Sequence, residues 1–330
     1  MRNTPNGRRM TAALRATPVP VTAGSLAEAG RLIRAGGLVA FPTETVYGLG
    51  ANAREGRAVA RIYEAKGRPR FNPLIAHVAS VDDARKLGIF SAEAEALAGA
   101  FWPGPLTLVV RRREDAALSD LLTAGLPTVA LRVPAHDIAL ALIREAGGPI
   151  AAPSANTSGR VSATRAGHVA ADFGAAVDMI LDGGPSMAGV ESSIVALAGD
   201  GPVLLRAGAV AAEDIECVLG RSLRRAGSGA GIQAPGMLQS HYAPCALLRL
   251  DADAPWPGEA FLAFGPASAA PVGTLNLSPS ADLREAAANL FAHLRALDNS
   301  GASAIAVMPV PETGLGEAIN DRLRRAAAPR

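Results

Sequence analysis

Short apolar runs alternate with stretches of helical periodicity along most of the 330-residue chain. Ser25 and Glu28 have the spacing of a capping box, apolar positions follow at helical intervals, and Gly36-Gly37 close the pattern, which predicts a helix from Ser25. Residues 38–41 read as a short buried strand broken by Pro42. A helix is predicted over 56–65; it ends near Gly67 and Pro69 and delivers Lys66 and Arg68 to its C-terminal end. Further strands are predicted at 73–78, 106–111, 128–133, 149–152, 178–182, 191–197 and 202–206, with helices near 81–87, 92–101, 137–146 and 163–171. Strands interleaved with helices predict an α/β layered domain.

Residues 221–244 lack periodicity and are punctuated by glycine and proline, the pattern of a linker. Beyond them, strand-like runs at 246–250, 261–265, 273–277 and 303–308 surround a helix at 281–297, and a last helix covers 316–327. This predicts a second, smaller α/β domain with a mostly parallel sheet. The expected organisation is a flexible tail over 1–21, a first domain over 22–220, a linker over 221–244 and a second domain over 245–330.

Composition narrows the function classes. The chain is 49% hydrophobic and 19% charged, which suits a globular protein with a large core. No apolar run reaches the roughly 18–20 residues needed to span a bilayer, and the polar, basic N-terminus lacks the apolar segment of a secretory signal. Met10 is an alternative start. The two cysteines, Cys217 and Cys245, form no CxxC, which fits a reducing cytoplasm rather than a disulfide scaffold. The net charge of +2 comes from the tail: Arg2, Arg8, Arg9 and Arg15 lie in the first twenty residues with no acid, leaving 28 basic against 30 acidic residues. That balance argues against broad nucleic-acid binding. Arginine outnumbers lysine 30 to 2, so Lys66 and Lys86 stand out as positions where a compact ammonium was retained.

Four polar, glycine- and proline-rich segments interrupt the apolar strands: PTETVYGLG (42–50), KGRPRFNPL (66–74), APSANTSGR (152–160) and GVESSIV (189–195). Loops at strand ends are where α/β sheets bind ligands. SANTSG alone is equally a simple turn. KGRPRFNPL sets three cations within five positions, which serves either a solvated helix end or a phosphate clamp in which Lys66 is a point charge and Arg68 a planar fork. There is no GxxxxGK[ST], and Gly227, Gly229 and Gly231 follow no strand and open no helix, so they read as linker. His77, His136, His168, His241 and His293 are too scattered for a Ser–His–Asp triad.

Together and in this order, these segments, with FWPGPLTLV (101–109) and LRAG (205–208), resemble the threonylcarbamoyl-AMP synthase family, the Sua5/YrdC/YciO group. The resemblance covers about 22–208 for a YrdC-like domain, and APGMLQSHYAP with the following domain is similar to the long Sua5 form. It implies a YrdC-like, twisted open-sheet N-terminal domain with a smaller Rossmann-like C-terminal Sua5 domain. The implied activity is that of an L-threonylcarbamoyladenylate synthase, joining ATP, L-threonine and bicarbonate to give threonylcarbamoyl-AMP and pyrophosphate for the t6A modification of tRNA. The resemblance places Lys66, Arg68, Ser154 and Asn156 on the ATP phosphates and the reacting carboxylate. It places Asn72, Thr128, Thr164 and Arg206 along the nucleotide, and Thr43, Thr45, His77, Arg132, Ser154 and Ser192 around threonine. Arg132 is the natural partner of the substrate carboxylate. Tyr242, with His241 beside it, comes from the linker folding over the site as a lid.

The resemblance further implies Mg²⁺ carried in with ATP, a downstream t6A transferase, a weak tRNA contact, and a cytoplasmic location without membrane association. Two departures stand out. Ala234 replaces a common serine and Leu-Gln-Ser follows Met237 in place of basic residues, and Ser193 stands where threonine is common. Two other classes stay open: a related carbamoyltransferase, whose zinc fingers the two cysteines do not supply, and a double-stranded RNA-binding module without catalysis.

Overall fold

The computed structural model describes residues 17–227, 234–236, 240–266 and 273–329. The start of the chain, including Met10, and part of the linker, including Gly229 and Gly231, lie outside the described residues.

The first helix runs Ala23–Arg34 and opens on a different cap from the one predicted. Thr22 is the N-cap: its Oγ1 accepts from the Ser25 N–H at 3.1 Å, and Ser25 Oγ accepts from the Thr22 N–H at 2.8 Å. Ser25 is therefore the third helical residue rather than the first, and Glu28 is left to pair with Arg31 one turn on. The remaining predicted helices of this half appear as Gly56–Lys66, Val81–Arg85, Ala92–Phe101, Asp137–Ala146 and Ala166–Phe173. A short helix, Asp120–Thr123, and a longer one, Ala212–Leu219, were not foreseen.

Twelve strands form one mixed, twisted sheet. From one edge the order is Val19–Pro20, Met179–Asp182, Val39–Phe41, Gly48–Asn52, Ile150–Ala151, Ile75–His77, Thr128–Arg132, Leu106–Arg112, Ser193–Ala196, Val203–Arg206 and Arg224–Arg225, with Gly88–Ile89 pairing to Leu106–Arg112. Gly48–Asn52 begins within PTETVYGLG, whose glycines suggest a loop. It is a strand because it is clasped antiparallel between Val39–Phe41 and Ile150–Ala151. A Cβ at Gly50 would lie 2.8 Å from the Phe41 ring, so the absence of a side chain is what admits the crossing.

A second sheet holds Leu247–Arg249, Ala304–Val307, Ala260–Ala263 and Thr274–Asn276, in that order and parallel throughout. Helices Leu283–Asp298 and Leu315–Ala327 pack on it through Leu290, Phe291, Leu294, Ile319 and Leu323. The same apolar cluster takes in Val46, Val161 and Val190 from the first half of the chain. Arg295 ties the two halves by an ion pair to Asp172 at 2.6 Å. Among the described residues no helix is long and apolar enough to cross a membrane.

Candidate active site

A cleft opens where several strand ends of the large sheet meet the linker. Its lining includes Thr43, Thr45, Arg68, His77, Arg132, Ser154, Ser192, Arg206, His241 and Tyr242, all singled out from the sequence, together with Glu191, Pro235 and Gly236.

One side is a chain of partnered side chains. Arg132, the last residue of its strand, donates from Nε to the Gly104 carbonyl at 3.2 Å and from Nη1 to Thr45 Oγ1 at 3.0 Å. Its Nη2 pairs with Glu44 at 2.7 Å. Thr43 gives its only hydroxyl proton to the Val46 carbonyl at 2.6 Å, so in its 2.8 Å contact with Thr45 the Thr45 hydroxyl is the donor. The guanidinium is thereby fixed by a relay ending on the backbone. Burial opposes ionisation of Glu44, yet Arg132 and the Ala135 N–H outweigh it and hold the carboxyl below its usual range. Burial, reinforced by Arg132, pushes His77 down to about 3, so the imidazole is neutral. Ser192 Oγ contacts Thr107 Oγ1 at 2.8 Å and accepts from Arg206 Nη2 at 3.1 Å.

The other side is held differently. Lys66 ends its helix because Gly67 adopts the left-handed conformation (φ 58°) that suits glycine. Its Nζ donates to the Ser154 carbonyl at 2.6 Å and to the Asn156 carbonyl, placing the ammonium just behind the SANTSG turn. Arg68 donates to the carbonyls of Asn72 at 3.3 Å and Pro73 at 3.0 Å. Burial, with Arg68 behind it, pushes Lys66 well below its ordinary range; burial also brings Arg68 down to about 10. Both cations thus sit in a dry environment holding only carbonyl partners. Both amide atoms of Asn72, Oδ1 of Asn156 and Oγ1 of Thr164 are buried without a hydrogen-bond partner.

The linker closes the cleft. Arg206 donates to the Pro235 carbonyl at 3.1 Å, the Ala243 N–H donates to the Gly159 carbonyl at 2.8 Å, and the Tyr242 ring stacks on Phe291 with centroids 5.5 Å apart. Burial leaves His241, like His77, neutral, at about 3.

Matching sequence profiles cover nearly the whole of this architecture. Residues 31–208 match the Sua5/YciO/YrdC family, described as "Telomere recombination", and residues 210–328 match the threonylcarbamoyl-AMP synthase C-terminal domain. The chain belongs to the Sua5/YciO/YrdC family. It is 44% identical to the threonylcarbamoyl-AMP synthase of Bacillus subtilis (strain 168), over 92% of this chain and 93% of the relative. It is 46% identical to that of Pyrococcus abyssi (strain GE5 / Orsay), over 89% and 92%. A crystal structure of P. abyssi Sua5 complexed with L-threonine superposes with a TM-score of 0.87 at 43% identity, covering 94% of this chain and 96% of that one.

Within this Sua5-family cleft, not every residue singled out from the sequence comes together. Thr128 begins the strand that Arg132 ends, so roughly 13 Å of extended chain separates them, and it does not line the cleft. Lys66, Asn72, Asn156 and Thr164 lie outside the lining as well. The Asn156 amide donates into its own turn, to Thr157 O at 2.8 Å and Arg160 O at 2.9 Å. Sequence reasoning missed the roles of Glu44, Glu191 and Arg322. Arg322 left one clue: it shares the apolar stripe of its helix with Ile319, Leu323 and Ala326, where a solvated arginine has no place. Among the described residues no cluster of three or more His, Cys, Asp or Glu is arranged to hold a metal ion.

Proposed function

We propose that the chain is an L-threonylcarbamoyladenylate synthase. Threonine and bicarbonate combine, with loss of water, into an N-carboxylated threonine. Its carbamate oxygen then attacks the α-phosphorus of ATP, forming a P–O bond while the α–β phosphoanhydride breaks and pyrophosphate leaves. The product, threonylcarbamoyl-AMP, supplies a t6A transferase acting on tRNA in the cytoplasm. Mg²⁺ enters as part of the nucleotide substrate, retaining waters and few protein ligands, and tRNA contact is weak.

The observation that carries this reading is the convergence of Arg68, Arg132 and Arg206 on one cleft, with Lys66 directly behind Ser154. Two anions must meet for this reaction, and their repulsion is the main barrier. Fixed cations in a water-poor cleft offset it without reorganising during the reaction. Arg132, held by Thr45 and Glu44, suits the threonine carboxylate as a preset fork. Thr43, Thr45, neutral His77 and Ser192 shape the pocket around the amino acid. Lys66, Arg68, Ser154 and Asn156 take the phosphates and the reacting carboxylate, and positioning contributes the rest. Asn72, Thr164 and Arg206 serve the nucleotide, Thr128 only if the nucleotide extends along its strand. Tyr242 and His241 shield a carbamate that water would destroy.

Burial also speaks against a non-catalytic duplex-RNA module. Lys66, Arg68, Arg132 and Arg206 are each at most 7% exposed, whereas a backbone-tracking surface needs its cations outside.

The test is pyrophosphate release by purified protein. Release that requires both threonine and bicarbonate is expected; release indifferent to threonine would sink the proposal.

A further inference from the structure

Glu191 is the one carboxylate lining the cleft among the described residues. Such a group is out of place in a pocket built for anions. Both of its oxygens are occupied: Oε1 accepts from the Ser162 hydroxyl, and Oε2 from Arg322 Nε at 2.8 Å. Burial alone would favour its neutral form, but Arg322, Arg206 and Ser162 hold it ionised, down to about 2. It is therefore ionised near neutral pH.

Arg322 comes from the C-terminal helix, 131 residues away in sequence, and is fully buried. It also donates to the Ala207 carbonyl at 2.9 Å, beside Arg206, and pairs with Asp321. Its guanidinium lies 5.1 Å from the centre of the Tyr242 ring. One side chain of the second domain thus touches the cleft carboxylate, the backbone next to a cleft arginine, and the linker aromatic.

We propose that Arg322 is a positioning residue that neutralises Glu191, so that the C-terminal domain supplies the counter-charge without which the cleft would repel its anionic substrates. Removing the arginine would leave the buried carboxylate with only Arg206 and the Ser162 hydroxyl to offset it beside the incoming phosphates. An unpaired buried charge acts strongly at this range because little water screens it. In this account Glu191 and Arg322 are a matched pair whose joint removal is tolerated better than loss of the arginine alone.

The inference rests on the cleft binding ATP, so wild-type full-length protein is titrated with Mg-ATP first. Three full-length variants follow: Arg322→Met, Glu191→Gln and the double variant, each measured for Mg-ATP Kd, for KM and kcat, and for thermal unfolding. Arg322→Met is expected to weaken ATP at least tenfold in Kd and KM, with a smaller change in kcat. The double variant is expected to recover to within about threefold of Glu191→Gln. If Arg322→Met does not fold, the double variant against Glu191→Gln still decides, since both lack the negative charge: ATP affinity within threefold supports the proposal. Arg322→Met that binds Mg-ATP as tightly as wild type, or a double variant that binds it as poorly as Arg322→Met or more than threefold worse than Glu191→Gln, would overturn the proposal. Wild-type protein that fails to bind Mg-ATP would instead count against the proposed function itself.

Discussion

The two flanks of the cleft hold their cations differently, by side chains on the Arg132 side and by backbone carbonyls on the Lys66 side. On the Arg132 flank, guanidinium, two threonine hydroxyls, a carboxylate and backbone carbonyls form a relay, with Glu44 Oε2 and His77 Nδ1 left without hydrogen-bond partners. On the Lys66 flank, cations lean on carbonyl oxygens while Asn72, Asn156 and Thr164 keep buried polar atoms without partners. A buried unsatisfied group costs about 1–3 kcal/mol, and on the second flank a ligand rich in oxygen atoms can relieve the two donors, Asn72 Nδ2 and the Thr164 hydroxyl. On the proposed function, the first flank is the fork for a small zwitterion and the second the seat for a polyanion.

The strongest way to break this contrast is Lys66→Ala. Turnover is expected to fall at least 100-fold with the thermal unfolding midpoint little changed; near-normal AMP transfer would remove the clamp from the mechanism. Next comes Arg132→Lys, which keeps the charge but loses the fork that reaches Thr45 and Glu44. A rise of about 10–100-fold in the threonine KM, with Mg-ATP affinity unchanged, is expected from steady-state kinetics and calorimetry. Equal losses for both substrates would erase the distinction between flanks.

Asn72→Leu sharpens it from the other direction. The amide is fully buried and unpaired, so an apolar side chain of similar size is expected to stabilise the free protein by about 1 kcal/mol while weakening Mg-ATP several-fold. A loss of stability in chemical denaturation would mean the amide is satisfied after all.

The last test is in pH. His77 and His241 sit near 3 in the folded chain against an ordinary 6.5, so unfolding takes up a proton at each. Stability that is full above pH 6.5 is therefore lost as pH falls toward 3, by up to about 1.4 kcal/mol per pH unit for each histidine. His77→Gln is expected to shallow that slope; an unchanged slope would show that the ring is protonated when folded.

Much of this was legible in the sequence because local rules and tertiary demands coincide. Helix Asp137–Ala146 and the four strands of the second sheet lie where periodicity puts them. Gly48–Asn52 was not legible, since poor strand formers become a strand only when neighbours on both sides supply the hydrogen bonds. The motifs brought Thr43, Thr45, Arg132 and Ser192 to one place, yet gave no sign that Thr128 would stand at the far end of its strand. Glu191 lay in view within GVESSIV, but its partner is far down the chain, and no local pattern joins residues at that separation.

Val46 lines the cleft and Val190 precedes Glu191, yet with Val161 they belong to the apolar cluster that holds Leu290 and Phe291. The seam between the two halves therefore runs through packed hydrocarbon as well as through the Arg295–Asp172 and Arg322–Glu191 ion pairs. A chimaera that grafts another family member's terminal module onto this chain inherits that seam, and the substrate loops will keep their shape only if the valines and the incoming helix are recut together.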